Sequence, residues 1–175
     1  MKIEEHYNNQ CQTSSDINEH LPTLKRYAEE CEHITEMGVR WIVSTWAFLM
    51  GNPKKMVSYD IDAINLDLIN ESLVETDIDF TFIQASTLDV TIEETDLLFL
   101  DTDHTYEQVK GELMRHGNKS KKYIIFHDTT TFGEVGMYGS RGIWHSIQEF
   151  LQENSHWTLH EKFENNNGLT ILKRI

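Results

Sequence analysis

The densest chemistry in the 175-residue chain is the run Asp101-Thr102-Asp103-His104. It closes the apolar stretch that begins at Asp96. A carboxylate that ends a hydrophobic strand is partly buried, so it needs a cation, a metal or hydrogen-bond donors beside it. A similar ending follows Tyr123 to Phe126, where His127-Asp128-Thr129 stands. If the two strands are neighbours, Asp101 and Asp128 converge. Two carboxylates, an imidazole and water make a hard-cation site, most simply for Mg²⁺ with substrate oxygens in its shell. Asp101, Asp128 and His127 are the expected ligands. The plainer alternative makes Asp103 and Asp128 caps of the following segments and His127 a core residue.

Three other turns carry polar groups after apolar runs. Glu36-Met37-Gly38 is followed by Ser44-Thr45, where a glycine lets a backbone N–H approach a ligand and hydroxyls cap a helix. Asp60-Ile61-Asp62 comes roughly 20 residues later, the offset at which dinucleotide folds hold a ribose diol. Asp60 is the expected ribose ligand and Asp62 the expected helix cap. Gln84-Ala85-Ser86-Thr87 offers short polar groups that suit either a purine edge or a helical turn. The loop from Phe132 to Gly142 has four glycines in eleven residues and reads as a lid, with Arg141 free to meet an anion.

These turns need a scaffold that gathers them. Helical spacing of Leu21, Leu24, Tyr27 and Ala28 predicts a helix within 17–30, with Pro22 harmless in its first turn. Strands are expected at 33–36, 56–59, 80–83, 96–101 and 123–126. Helices are expected around Trp46–Leu49, Ile64–Ile69, His104–His116 and Ile143–Leu151. Trp157–Phe163 and Leu169–Lys173 flank Asn166-Asn167-Gly168 and read as an antiparallel hairpin. The alternation predicts an α/β fold: a doubly wound, mostly parallel seven-stranded sheet with a terminal antiparallel hairpin. Ligands of such sheets bind beyond the carboxyl ends of the strands. Residues 1–16, rich in Asn, Gln, Ser and Glu, read as a flexible N-terminal arm, and 17–175 as one domain.

Composition narrows the partners. Lys plus Arg is 15 and Asp plus Glu is 29, a formal charge of −14 that disfavours nucleic acid and anionic lipid. Cys11 and Cys31 form no CxxC pair, so a disulfide scaffold and a cysteine-based zinc site are not expected. No apolar run reads as a signal peptide or a membrane span, which makes a cytoplasmic location the expectation.

Together, Glu36-x-Gly38, Ser44-Thr45, Asp60, Asp101-Thr102-Asp103-His104-Thr105-Tyr106 and His127-Asp128-Thr129 resemble the class I S-adenosylmethionine-dependent methyltransferases. The likeness is to the small-molecule or sugar O-methyltransferase branch and spans about residues 30–175. It implies a Rossmann-like methyltransferase fold and a cofactor, S-adenosylmethionine, held by Glu36, Gly38, Ser44, Asp60, Ser86 and Asp101. It implies His104 or Asp103 as general base, and Mg²⁺ on Asp101 and Asp128. The implied reaction is methyl transfer to a hydroxyl of a small molecule or sugar. Three residues depart from the family pattern. Arg40 and Ile42 stand at usual glycine positions of the first loop, and Ser86 replaces a common aspartate. The rival readings are a metal-dependent hydrolase built on the Asp101/Asp128 cluster and a non-catalytic binding module of the same fold. No large insert forms an acceptor site, so the N-terminal arm, the lid or a second copy of the chain in a homo-oligomer is expected to supply one.

Overall fold

Leu97 and Phe99 face one side of the sheet and Leu98 and Leu100 the other, and all four are buried. That two-sided burial marks β4 (Thr95–Leu100) as a central parallel strand. The chain is described here from a computed structural model covering residues 2–175. β1 (His33–Met37) pairs with one edge of β4 and β5 (Ser120–His127) with the other, both parallel. β2 (Lys55–Asp60) and β3 (Asp79–Gln84) continue the parallel sheet beyond β1. β7 (Leu169–Arg174) runs antiparallel to β5 and carries β6 (Trp157–Phe163). The seven strands lie in the order β3-β2-β1-β4-β5-β7-β6, and the sheet is mostly parallel with a terminal antiparallel hairpin, as the alternation predicts. The winding reverses between β1 and β4, and that switch point is where such sheets open a crevice.

Helices bury both faces. α2 (Leu21–Ala28), α3 (Ser44–Met50) and Ile69 of α4 (Asp67–Leu73) pack on the face that holds Ile34, Met56, Leu97 and Ile125. α5 (Tyr106–His116) and α6 (Ile143–Glu153) cover the other through Val109, Leu113, Ile143 and Ile147. Among the described residues no helix is long and apolar enough to cross a membrane.

Three local expectations need correction. The segment read as a loose arm contains α1 (Ile3–Gln12). Ile3, Tyr7 and Cys11 recur every fourth residue and pack against the core, and the buried His6 ring stacks on Trp46 with centroids 4.1 Å apart. The polar composition hides that stripe. Asp62 caps no helix, because α4 begins at Asp67 with Leu66 before it. The glycine-rich loop is tied to the body. Met137 N donates to His104 O at 2.9 Å and Tyr106 N to Arg141 O at 3.0 Å. Arg141 is not free for an anion: it pairs with Glu149 at 3.1 Å and lies over the Tyr106 ring.

β1 and β4 meet closely at the crevice. Asp101 N donates to Met37 O at 2.8 Å, and Gly38 sits at φ +90 against the Asp101 carbonyl. A Cβ on Gly38 would lie 2.0 Å from that oxygen. Gly38→Ala is expected to lower stability by about 3 kcal/mol, combining left-handed backbone strain with overpacking. Urea unfolding checks this, and a loss below about 1 kcal/mol would mean the turn relaxes without difficulty.

Candidate active site

A cavity of about 1090 Å³ opens over the carboxyl ends of the strands, between the turns after β1, β2, β3, β4 and β5. Parallel register brings β4 and β5 to the same height, since Leu100 pairs with Phe126. Asp101 and Asp128 therefore converge as expected, and they do so on one atom. His104 Nε2 lies 3.1 Å from Asp101 Oδ1 and 2.9 Å from Asp128 Oδ2. The His104 ring stacks on Phe132 with centroids 5.0 Å apart.

His127 backs this pair from beneath. Its Nδ1 is 3.3 Å from Asp101 Oδ1 and 3.5 Å from Asp128 Oδ2. Its Nε2 faces the backbone carbonyls of Asp16 at 3.0 Å and Asn166 at 3.2 Å. Carbonyls only accept, so Nε2 carries a hydrogen, and Nδ1 carries another toward the carboxylates. His127 is thus an imidazolium. Burial opposes its charge, but the Asp101 carboxylate outweighs burial and lifts its pKa to about 9. Burial likewise opposes charge on His104, and hydrogen bonds to Asp101 and Asp128 lift it to about 9. Burial alone would raise Asp101, but the His127 charge and hydrogen bonds from both rings hold it well below the usual carboxylate range.

The donor set for a cation differs from the one expected. Asp101, His104 and Asp128 each offer an atom, all within 4.8 Å of one another. His127 does not join them, because both its nitrogens are already engaged as donors. Asp128 stands at φ +61 with Oδ1 buried and unpartnered among the described residues. Asp103, at the cavity mouth, is exposed, and its carboxylate makes no hydrogen bond or ion pair among the described residues.

The other end of the cavity is built on Asp60. Its Oδ2 accepts from Val39 N at 2.8 Å and Arg40 N at 2.9 Å, and its Oδ1 accepts from Asp62 N at 2.9 Å. The carboxylate thereby shapes the loop after β1. Arg40 and Ile42 keep positive φ, +43 and +60, without being glycine. For the β-branched Ile42 that conformation is strained. Gly38, Ser44 and Ser86 line the cavity, and Ser86 Oγ accepts from Leu88 N at 3.3 Å. Glu36 does not line it. It is fully buried, and its oxygens accept from Ser44 at 2.7 Å, Thr45 at 2.9 Å and Ser58 at 2.7 Å. Burial raises its pKa to about 7, although the three hydroxyls offset part of the cost. Glu36 pins β1, β2 and α3 together beneath the loop.

Two groups were not anticipated. The carbonyls of Asp16 and Asn166, from the N-terminal segment and the last hairpin, orient His127; backbone groups leave no mark in a sequence. Gln108 also lines the cavity and, with Thr87 of the polar turn after β3, converges on the buried Glu112. A signal for that pair exists: Gln108 and Glu112 are four apart, each one position before the core residues Val109 and Leu113.

The two imidazoliums predict how stability responds to pH. Their folded-state pKa values near 9 exceed the ordinary value of about 6.5, so the folded protein binds more protons between these limits. Their stabilisation is full below about pH 6.5 and is lost as pH rises through 9. Glu36, also raised, opposes folding as pH rises toward 7. The urea midpoint is expected to fall from pH 6.5 to 9, and to fall less in His127→Asn. A flat profile in the wild-type protein would contradict the assigned charges.

No protein-family model matches the chain, and no curated protein matches it significantly. Solved structures do. The O-methyltransferase from Bacillus cereus in complex with S-adenosylhomocysteine is 14% identical with a TM-score of 0.67, covering 99% of this chain and 90% of that one. The S-adenosylhomocysteine-bound methyltransferase PaMTH1 of Podospora anserina is 16% identical with a TM-score of 0.64, covering 99% and 87%. The N-methyltransferase NodS of Bradyrhizobium japonicum, also with S-adenosylhomocysteine, is 15% identical with a TM-score of 0.62, covering 98% and 96%. Strand order, the antiparallel hairpin and near-complete coverage give one conclusion: the chain has the Rossmann-like fold of the class I methyltransferases.

Proposed function

We propose that the protein is an S-adenosylmethionine-dependent methyltransferase acting on a hydroxyl of a small molecule or sugar. The observation that carries this is one continuous cavity. It runs from an acid suited to a ribose hydroxyl after β2, past the glycine turn after β1, to a carboxylate–imidazole cluster after β4 and β5. The solved structures of the same fold that hold S-adenosylhomocysteine support the choice of nucleoside.

The residues fit that cofactor. Asp60 accepts two loop N–H groups on Oδ2 and one on Oδ1, which leaves a lone-pair site on Oδ1 for one hydroxyl of a ribose. Gly38 keeps the β1 turn flat against β4, so backbone approaches the cavity without a side chain between. Asp16, Asp60, Asp62, Asp101, Asp103 and Asp128 line the cavity against Arg40 and His104, a field that favours a cationic donor. Bound there, S-adenosylmethionine supplies an activated methyl group. The protein's part is alignment, worth on the order of 7–11 kcal/mol, and management of the acceptor proton.

His104 is the residue placed for that proton. At rest it is an imidazolium and cannot accept. Positive charge brought into the cavity lowers its pKa and moves it toward the neutral, accepting form. Asp101 and Asp128 then stabilise the imidazolium that forms as the hydroxyl gives up its proton. Asp101, Asp128 and His104 would also hold a divalent cation, with the unpartnered Asp128 Oδ1 as a further donor and His104 giving up its proton. Such a cation would act as a Lewis acid on the acceptor oxygen. Asp103, free at the mouth, is suited to meeting the acceptor.

Titration calorimetry with S-adenosylhomocysteine, with and without Mg²⁺, tests the reading. Saturable binding is expected, weakened roughly 10- to 100-fold by Asp60→Ala, the scale of a lost charged hydrogen bond. With a hydroxylated acceptor panel and labelled donor, His104→Gln is expected to lower transfer about 10²–10⁴-fold while leaving binding of the uncharged S-adenosylhomocysteine intact. A folded protein that binds no S-adenosylhomocysteine would refute the proposal.

A further inference from the structure

The purine end of the cavity contains a hydrogen-bond network that dictates which way one amide points. Gln108 Nε2 lies 2.9 Å from Thr87 Oγ1 and 2.9 Å from Glu112 Oε1. The Thr87 hydroxyl donates its own hydrogen to Glu112 Oε1 at 2.6 Å, so its oxygen is left as an acceptor. Thr102 donates to the same carboxylate oxygen at 2.8 Å. Glu112 is fully buried, and Thr87 is held from behind by its own carbonyl on His116 Nε2 at 2.8 Å. Turning the amide over would set its oxygen against Glu112 Oε1, which already accepts from two hydroxyls, and against a hydroxyl with no hydrogen left to give. Both amide hydrogens are therefore committed, and Gln108 Oε1 faces away from Glu112 with no donor among the described residues.

Gln108, Thr87 and Ser86 line the cavity, and the turn that carries Ser86 and Thr87 leaves β3 beside Asp60, whose carbonyl accepts from Ala85 N at 2.8 Å. A base attached to a ribose on Asp60 would meet this wall. We infer that Gln108 Oε1 is the acceptor that reads the exocyclic amine of adenine, with Glu112 as the positioning residue that locks the amide. This rests on the cofactor reading above. Adenine offers a 6-amino donor to that oxygen. Hypoxanthine offers a 6-oxo acceptor, which would face a second acceptor and be rejected.

The test compares S-adenosylhomocysteine with S-inosylhomocysteine, its 6-oxo counterpart, by calorimetry. The wild-type protein is expected to prefer the adenine form by about tenfold or more, the scale of one mismatched buried pair. Gln108→Met, nearly the same volume without an acceptor, is expected to bring the two affinities close together. Glu112→Leu, which frees the amide to turn, is expected to lower the preference without touching the ligand. Equal affinities in the wild-type protein, or an undiminished preference in Gln108→Met, would overturn the inference while leaving the methyltransferase reading in place. If neither ligand binds the wild-type protein, the cofactor reading falls first and this inference falls with it.

Discussion

Asp101 carries the constraint on which the rest of the site depends. Its backbone N–H closes β1 on β4, its carbonyl forbids any side chain at position 38, and its carboxylate lies between two imidazolium rings. A carboxylate placed at the end of a buried strand would be costly if it were unpaired. Here His104 and His127 remove that cost, and each ring is charged because Asp101 and Asp128 are there. Asp101 and the two rings form one unit, and none of the three has a charge state independent of the others. The last hairpin and the N-terminal segment complete the unit by presenting two carbonyls to His127.

The loop after β1 shows how side-chain contacts hold a strained turn in place. Arg40 and Ile42 occupy left-handed backbone that glycine adopts without strain. The Asp60 carboxylate grips the N–H groups of Val39 and Arg40, Arg40 pairs with Asp16, and Ile42 packs against the core. Glu36 anchors the base of the same loop through three hydroxyls. Strain held at such a turn is compatible with a functional site, where the surrounding contacts determine the backbone.

Much of this arrangement was legible in the sequence. The parallel sheet followed from the alternation of apolar runs, and the meeting of Asp101 with Asp128 followed from adjacent strands ending in acids. What could not be read was which side of a wall each group faces. Glu36 matched a cofactor motif, yet its side chain turns inward, because Ser44, Thr45 and Ser58 lie within reach only once β1, β2 and α3 are packed. His127 was expected as a metal ligand, but two distant carbonyls claim its second nitrogen. The N-terminal helix escaped notice because its apolar stripe is thin and its polar residues are many. Gln108 and Glu112 resemble surface residues in composition, and only their place beside Val109 and Leu113 marks the one as half-buried and the other as buried.

The account makes one electrostatic demand that a single experiment isolates. S-adenosylmethionine and S-adenosylhomocysteine differ by one methyl group and one positive charge. Imidazole-¹⁵N NMR titration of His104 in each complex reads the effect of that charge directly. A pKa near 9 is expected in the free protein, a similar value with the neutral thioether bound, and a clearly lower one with the sulfonium bound. An identical His104 titration in the two complexes would mean that the donor's charge lies far from the cluster, and the proposed geometry of transfer would be wrong.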